Sequence, residues 1–168
     1  MKSKKTARLT VLTALIAAAY VALTYLSASM GLAFGQIQFR LSEALNILAA
    51  FTPAAIPGLT IGCFLSNITS PFPLDMAFGT LATLLSAIMI RLIAKHFKKS
   101  TPYLAIIPPT FFNAVIVGLQ ITLFTNSNAS FLAFLLVAIS VAIGEMVVCS
   151  AIGIPLYYGT NKYLKKYL

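Results

Sequence analysis

Charge is what this 168-residue chain has least of: Lys, Arg, Asp and Glu together make up 9% of it, and only Glu43, Asp75 and Glu145 are acidic. A water-soluble domain carries roughly 25% charged residues, whereas this chain is 60% hydrophobic with a mean hydropathy of +0.94, which excludes that class. Cysteine is also scarce. Cys63 and Cys149 stand alone in apolar runs, without C-x-x-C or Cys/His spacing for a metal, so free buried thiols are expected. No G-x-x-x-x-G-K-[ST] loop is present to hold ATP phosphates. A Ser/His/Asp or Cys/His set, an HExxH and a close pair of carboxylates are missing as well. These absences argue against an enzyme and imply no cofactor. Repeats and low-complexity tracts are lacking too, and the length fits a single domain, residues 1–168.

What remains is a set of long apolar runs with basic residues at their ends. Of the twelve Lys and Arg residues, eleven fall in Lys2 to Arg8, Arg91 to Lys99 and Lys162 to Lys166; the twelfth is Arg40. Basic residues flanking membrane spans stay on the cytoplasmic side. The pattern therefore predicts an all-α integral membrane protein with both termini in the cytoplasm and Arg40 outside. At about 20 residues per span the length allows six or seven helices at most. The net charge of +9 reads as juxtamembrane clusters that favour anionic lipid rather than nucleic acid. Ser27-Ala28-Ser29 resembles a signal-peptidase site, but the run Leu9 to Ala28 is long for a signal peptide and is read as a retained first span.

Along the chain, Leu9 to Ala28 is the first span and Ser29 to Arg40 an outer connection rich in Gly, Gln and aromatics. Leu41 to Asn67 is interrupted by Thr52-Pro53 and Pro57-Gly58, leaving two apolar pieces too short for upright spans. Parity decides how to count them. A single crossing would put Arg91 to Lys99 outside, whereas a hairpin of two short helices returns that run inside. After the turn Ser70 to Asp75 come the spans Met76 to Ala94 and Leu104 to Phe124, joined by an inner loop. An uncharged outer loop, Thr125 to Ser130, then precedes the last span, Phe131 to Tyr158. The expected total is six transmembrane helices.

The few polar residues gather in the outer half. Arg40, Glu43 and Asn46 recur every three residues and share a helix face, Asn67 ends the next helix, and Asn113 and Gln120 form one stripe. Glu145 lies near the middle of the last span, where a lone carboxylate normally faces a cavity or a partner. Asp75 is the third acid, in the outer turn. Carboxylates and amides together recognise a polar, nitrogen-rich small molecule, and Tyr25, Phe34, Phe39 and Phe72 stand near as stacking surfaces. Plainer readings stay open. Arg40 and Glu43 also suit a surface ion pair, Asn67 a helix cap, Asn113 and Gln120 interhelical hydrogen bonds, and Glu145 a pair with Arg40. The aromatic set also suits lipid or core packing, and His96 in its basic loop reads as solvated. Ala14, Ala18 and Ala22 form a smooth strip on the first helix, fit for close approach by another helix or for packing within the bundle. The G-x-x-x-G matches at Gly31–Gly35 and Gly58–Gly62 are weak signals.

The block Gln36-Ile-Gln-Phe-Arg40-Leu-Ser-Glu43-Ala-Leu, followed by Pro53-Ala-Ala-Ile-Pro-Gly58-Leu-Thr-Ile-Gly62-Cys and Asn67, resembles the queuosine-precursor transporter (QueT) family. These are S components of energy-coupling factor (ECF) transporters. The resemblance implies a six-helix S-component bundle in the bacterial cytoplasmic membrane that captures its substrate outside. It implies as partners a transmembrane coupling protein and two ATPase subunits, docked through Ala14, Ala18 and Ala22. The implied ligand is a 7-deazaguanine such as 7-aminomethyl-7-deazaguanine, with Glu145 on its guanine-like edge, Arg40 and Glu43 at the outer mouth, and Asn67, Asn113 and Gln120 supplying amides. The connection Ser29 to Arg40 resembles the gating loop of S components, with Gly31 and Gly35 permitting movement. The competing expectations are an autonomous secondary carrier, a channel-like homo-oligomer, and an S component for another vitamin.

Overall fold

The computed structural model describes residues 2–34, 38–125 and 130–164, and these are helical almost throughout. Gly35 and Gln36 of the connection, residues 126–129 of the second outer loop, and Lys165 and Lys166 lie outside the described residues. The chain forms α1 (Lys2–Ser29), a 3-10 helix (Leu41–Ala50), α2 (Ala55–Asn67) and α3 (Asp75–His96). Two long, locally broken helices follow, α4 (Thr101–Phe124) and α5 (Phe131–Tyr163). Among the described residues, α1, α3, α4 and α5 are long and apolar enough to cross a membrane. The four predicted spans fall inside them.

The termini of these helices follow from local chemistry. Gly31, at φ 72, closes α1 in the left-handed conformation that glycine adopts without strain. Its N–H donates to Ala28 (2.9 Å) and that of Leu32 to Ser27 (2.9 Å), the paired bonds of a Schellman cap. Gly31 thus caps the C-terminus of α1. Ser130 starts α5 by accepting from the Ala133 N–H at 3.2 Å. Pro102, Pro108 and Pro109 fragment α4, and π-helical turns follow at Asn113–Val117 in α4 and Cys149–Gly153 in α5. Such turns take up a local mismatch between backbone hydrogen bonding and packing.

Leu41 to Asn67 is a hairpin of two short helices, as parity required. Ten residues of 3-10 helix and thirteen of α-helix both span about 20 Å, so the legs match. The break lies at Thr52-Pro53 alone. Pro57 sits in the first turn of α2, where its missing N–H has no helical acceptor to lose, so Pro57-Gly58 does not interrupt the helix. At the closed end Arg91 donates to the Ala50 carbonyl (3.0 Å) and Thr13 to the Ala54 carbonyl (3.2 Å). At the open end Ser27 accepts from the Leu41 N–H (3.0 Å), and Thr24 donates to Ser42 (2.8 Å). Phe51 stacks on Tyr157 at 4.9 Å, which brings the late part of α5 to the closed end. The N-terminal part of α1, Arg91 of α3 and the late part of α5 therefore share the closed end of the hairpin.

Packing is inverted relative to a soluble protein. Leu15, Leu132, Leu136 and Phe131 are 60 to 74% exposed, while Arg40, Glu43, Asn67, Asp75 and Glu145 are at most 4% exposed. Only a hydrocarbon solvent makes that distribution favourable. One apolar cluster (Ile16, Tyr20, Leu45, Leu59, Ile90) joins α1, the hairpin and α3, and a second (Ala82, Val117, Ile121, Val141) joins α3, α4 and α5. Gly58 and Gly62, a weak motif in the sequence, form the contact of α2 with α1. A Cβ at Gly62 would lie 2.7 Å from the Tyr20 Cβ and 2.9 Å from the Ala17 carbonyl. We expect Gly62→Ala to lower the thermal midpoint of the detergent-solubilised protein, by an overpacking cost of about 1–3 kcal/mol. Gly159→Ala, with nothing within 4 Å, should not lower it.

Candidate functional site

The polar side chains converge between the open end of the hairpin and the middle of α5, and Asp75 is their hub. It stands at the first position of α3, turned inward by the tight turn in which its N–H donates to Phe72 (2.9 Å). Its Oδ2 accepts from Arg40 Nη2 (3.3 Å) and Ser70 Oγ (2.6 Å), and its Oδ1 accepts from Gln120 Nε2 (2.5 Å). Its backbone carbonyl accepts from Asn67 Nδ2 at 3.0 Å. One residue thus ties the connection after α1, the end of α2, the start of α3 and α4 together. Arg40 is held further by its Nε–H to the Ala33 carbonyl (3.1 Å) and by the Phe34 ring, 5.2 Å below the guanidinium.

Glu43 makes the second node. With three residues per turn in the 3-10 helix, residues three apart eclipse, so Arg40, Glu43 and Asn46 line up along one edge. Asn46 Nδ2 donates to Glu43 Oε2 at 2.6 Å, and the Tyr20 hydroxyl of α1 donates to Oε1. Asn113 of α4 approaches the same carboxylate, while its own Nδ2 donates to the Pro109 carbonyl one turn back (3.1 Å).

Glu145 differs from both. It lies within electrostatic reach of Glu43 and Arg40, yet its buried Oε2 has no hydrogen-bond partner. Gln38 crosses α5 at the preceding residue, so closely that a Cβ on Gly144 would fall 2.2 Å from the Gln38 carbonyl oxygen. Also buried without partners are Gln38 Nε2, Asn46 Oδ1, Asn67 Oδ1 and Gln120 Oε1. In an apolar medium each such atom is costly to leave without a partner. Among the described residues no group of three His, Cys, Asp or Glu stands together to hold a metal.

All six polar residues singled out in the sequence, Arg40, Glu43, Asn67, Asn113, Gln120 and Glu145, are buried. Their pairing is not as expected. Arg40 is no surface residue and pairs with Asp75 rather than with Glu43 or Glu145, because Glu43 is already taken by Tyr20 and Asn46. Asn67 binds the next helix instead of capping its own. Gln120 does bridge helices, and Asn113 bonds back within α4 while also reaching Glu43 across the bundle. Sequence reasoning gave no role to Tyr20, Ser70 and Gln38, and it left Asp75 outside the site. The scarcity of acids was the signal for Asp75, since any acid among three in an apolar chain needs a partner. Of the stacking candidates, Phe34 lies under Arg40 and Tyr25 is 42% exposed. Cys63 and Cys149 are free and buried, and His96 is exposed.

Ala14, Ala18 and Ala22 are exposed along α1, whereas Ile16, Ala17, Tyr20, Thr24 and Ser27 face the bundle. The strip does not pack inside the bundle.

The hub and the unpartnered acid respond oppositely to neutralisation. Asp75→Ala leaves a buried guanidinium unpaired, and should destabilise the detergent-solubilised protein by about 3–5 kcal/mol. Glu145→Gln removes a buried charge without a partner, and should leave the thermal midpoint unchanged or higher.

A family model described as "QueT transporter" matches residues 10–162. Over 99 residues the chain is 38% identical to the "Queuosine precursor transporter QueT" of Lactococcus lactis subsp. cremoris (strain MG1363). That alignment covers 59% of this chain and 58% of the relative, little more than half the length of that protein. No solved structure matches this chain significantly. The family match over nearly the whole bundle, with its apolar exterior and several membrane-length helices, leads to one conclusion: the chain belongs to the QueT transporter family and is a multi-pass protein of the bacterial cell membrane.

Proposed function

We propose that the chain is the substrate-binding S component of an energy-coupling factor transporter, and that it captures a 7-deazaguanine precursor of queuosine, such as 7-aminomethyl-7-deazaguanine, from outside the cell. The observation that carries this reading is the buried set of amide and carboxylate atoms without protein partners, in a member of this transporter family. A deazaguanine offers ring N–H groups, an exocyclic amine and a carbonyl, which match such a set. Glu145 takes the amidine-like edge, Asn67, Gln120 and Asn46 add contacts, and Arg40, Glu43 and Asn113 shape the site around them. The relative's name points to the same substrate class.

In the membrane, the basic closed end of the hairpin faces the cytoplasm by the positive-inside rule. The two short helices then count as crossings, giving six, with both termini inside and the polar cluster towards the exterior. Their length of about 20 Å is short of the ~30 Å hydrocarbon core, and their burial among longer helices makes that tolerable. The exposed Ala14, Ala18 and Ala22 face provides a smooth surface for the transmembrane coupling protein, which in turn carries the two ATPase subunits.

Titration calorimetry of the purified protein with 7-aminomethyl-7-deazaguanine tests the substrate. We expect saturable binding, weakened by about tenfold or more in Glu145→Gln through loss of a charged hydrogen bond. Riboflavin, thiamine or biotin binding instead would reassign the subunit to another vitamin. For the docking face, Ala18→Trp should abolish cellular uptake and copurification of the ATPases while leaving ligand affinity unchanged. Uptake that persists without the ATPases and follows the proton gradient would establish an autonomous carrier.

A further inference from the structure

We infer that the amides of the polar cluster present mainly acceptors, selecting a ligand rich in N–H donors that carries a positive charge, and that Asp75 and Glu43 are the positioning residues that set this polarity. The inference rests on the cluster being the substrate site, and it adds which kind of 7-substituent that site selects.

A primary amide presents donors on one side and an acceptor on the other, so the group that holds one side decides what the other offers. Gln120 meets an Asp75 carboxylate oxygen at 2.5 Å, and Asn46 meets a Glu43 carboxylate oxygen at 2.6 Å. Ionised carboxylates only accept, which forces each NH2 towards the acid. Asn67 meets the Asp75 backbone carbonyl at 3.0 Å, and a carbonyl likewise only accepts. The partners dictate these orientations. In all three amides the oxygen is what is left over, buried and without a protein partner. Glu145 Oε2 is a fourth buried oxygen without a protein partner. All four residues are at most 3% exposed. Among the amides of the described residues, only Gln38 Nε2 remains as a free buried donor, and the buried hydroxyls of Thr80, Thr110 and Thr160 also lack partners.

Charge points the same way. Three buried carboxylates share this region with one guanidinium, and Arg40 is already committed to Asp75 and the Ala33 carbonyl. Glu145 therefore lacks a cation of its own. A protonated aminomethyl group supplies both the charge and several N–H donors. A nitrile at the same ring position supplies only an acceptor, which would face oxygens and leave both sides unsatisfied.

The test compares 7-aminomethyl-7-deazaguanine with 7-cyano-7-deazaguanine, which share the ring and its guanine-like edge, by calorimetry on the full-length purified protein. We expect the amine to bind at least about tenfold tighter, the cost of burying an acceptor against acceptors. Asn67→Leu should narrow that gap by weakening the amine more than the nitrile, since it removes an unpartnered acceptor while the Asp75 carbonyl it releases keeps its own helical hydrogen bond. Asn67→Ala, which removes the same acceptor with a smaller side chain, should do the same and serves if Asn67→Leu fails to fold. A nitrile bound as tightly as the amine, or variants that weaken both compounds equally, would overturn the acceptor lining while leaving the substrate site in place. Binding of neither compound would overturn the proposed substrate itself, and this inference with it.

Discussion

A hydrocarbon solvent offers a polar group no alternative partner, so every buried donor and acceptor must be satisfied by the protein or by a ligand. Asp75 is where this constraint is resolved for the bundle. Its carboxylate and carbonyl gather Arg40, Ser70, Gln120 and Asn67 from separate stretches of chain. The network fixes how the connection after α1, the hairpin, α3 and α4 meet, because no other described acid stands within salt-bridge distance of Arg40. Having fixed those elements, it leaves amide oxygens pointing away from the hub, and the chemistry of the site is set by what the hub consumes.

The second constraint is close packing. Gly58 and Gly62 let α2 approach α1 until backbone touches backbone, and that contact places Tyr20 where its hydroxyl meets Glu43. Helix α1 thus has two distinct faces. One carries Ile16, Ala17, Tyr20, Thr24 and Ser27 into the bundle, and the other exposes the small residues Ala14, Ala18 and Ala22 between larger side chains such as Leu15 and Leu26. A single helix therefore borders both the polar interior and the surface open to a partner.

Much of this was legible beforehand, and the reason differs from element to element. The long spans show in composition because hydrocarbon demands apolar side chains over a fixed length. The hairpin Leu41 to Asn67 followed from charge parity, since each crossing exchanges the side on which basic residues can remain. Pro57-Gly58 was misread as a break because the penalty for proline depends on its position within the helix, which composition does not reveal. The 3-10 form of Leu41–Ala50 was also hidden, because residues three apart, such as Glu43 and Asn46, share a face in either helix type.

The sequence by itself determined the membrane environment and which polar residues would be buried, because scarcity makes each of them costly to place anywhere except inside. Tertiary structure alone decided who pairs with whom. Arg40 met Asp75, 35 positions away, rather than Glu43 three positions along its own edge, because Tyr20 from α1 and Asn46 had already occupied the Glu43 carboxylate. Hydrogen-bond partners compete for a limited number of lone pairs, and that competition is settled only when helices distant in sequence are packed together.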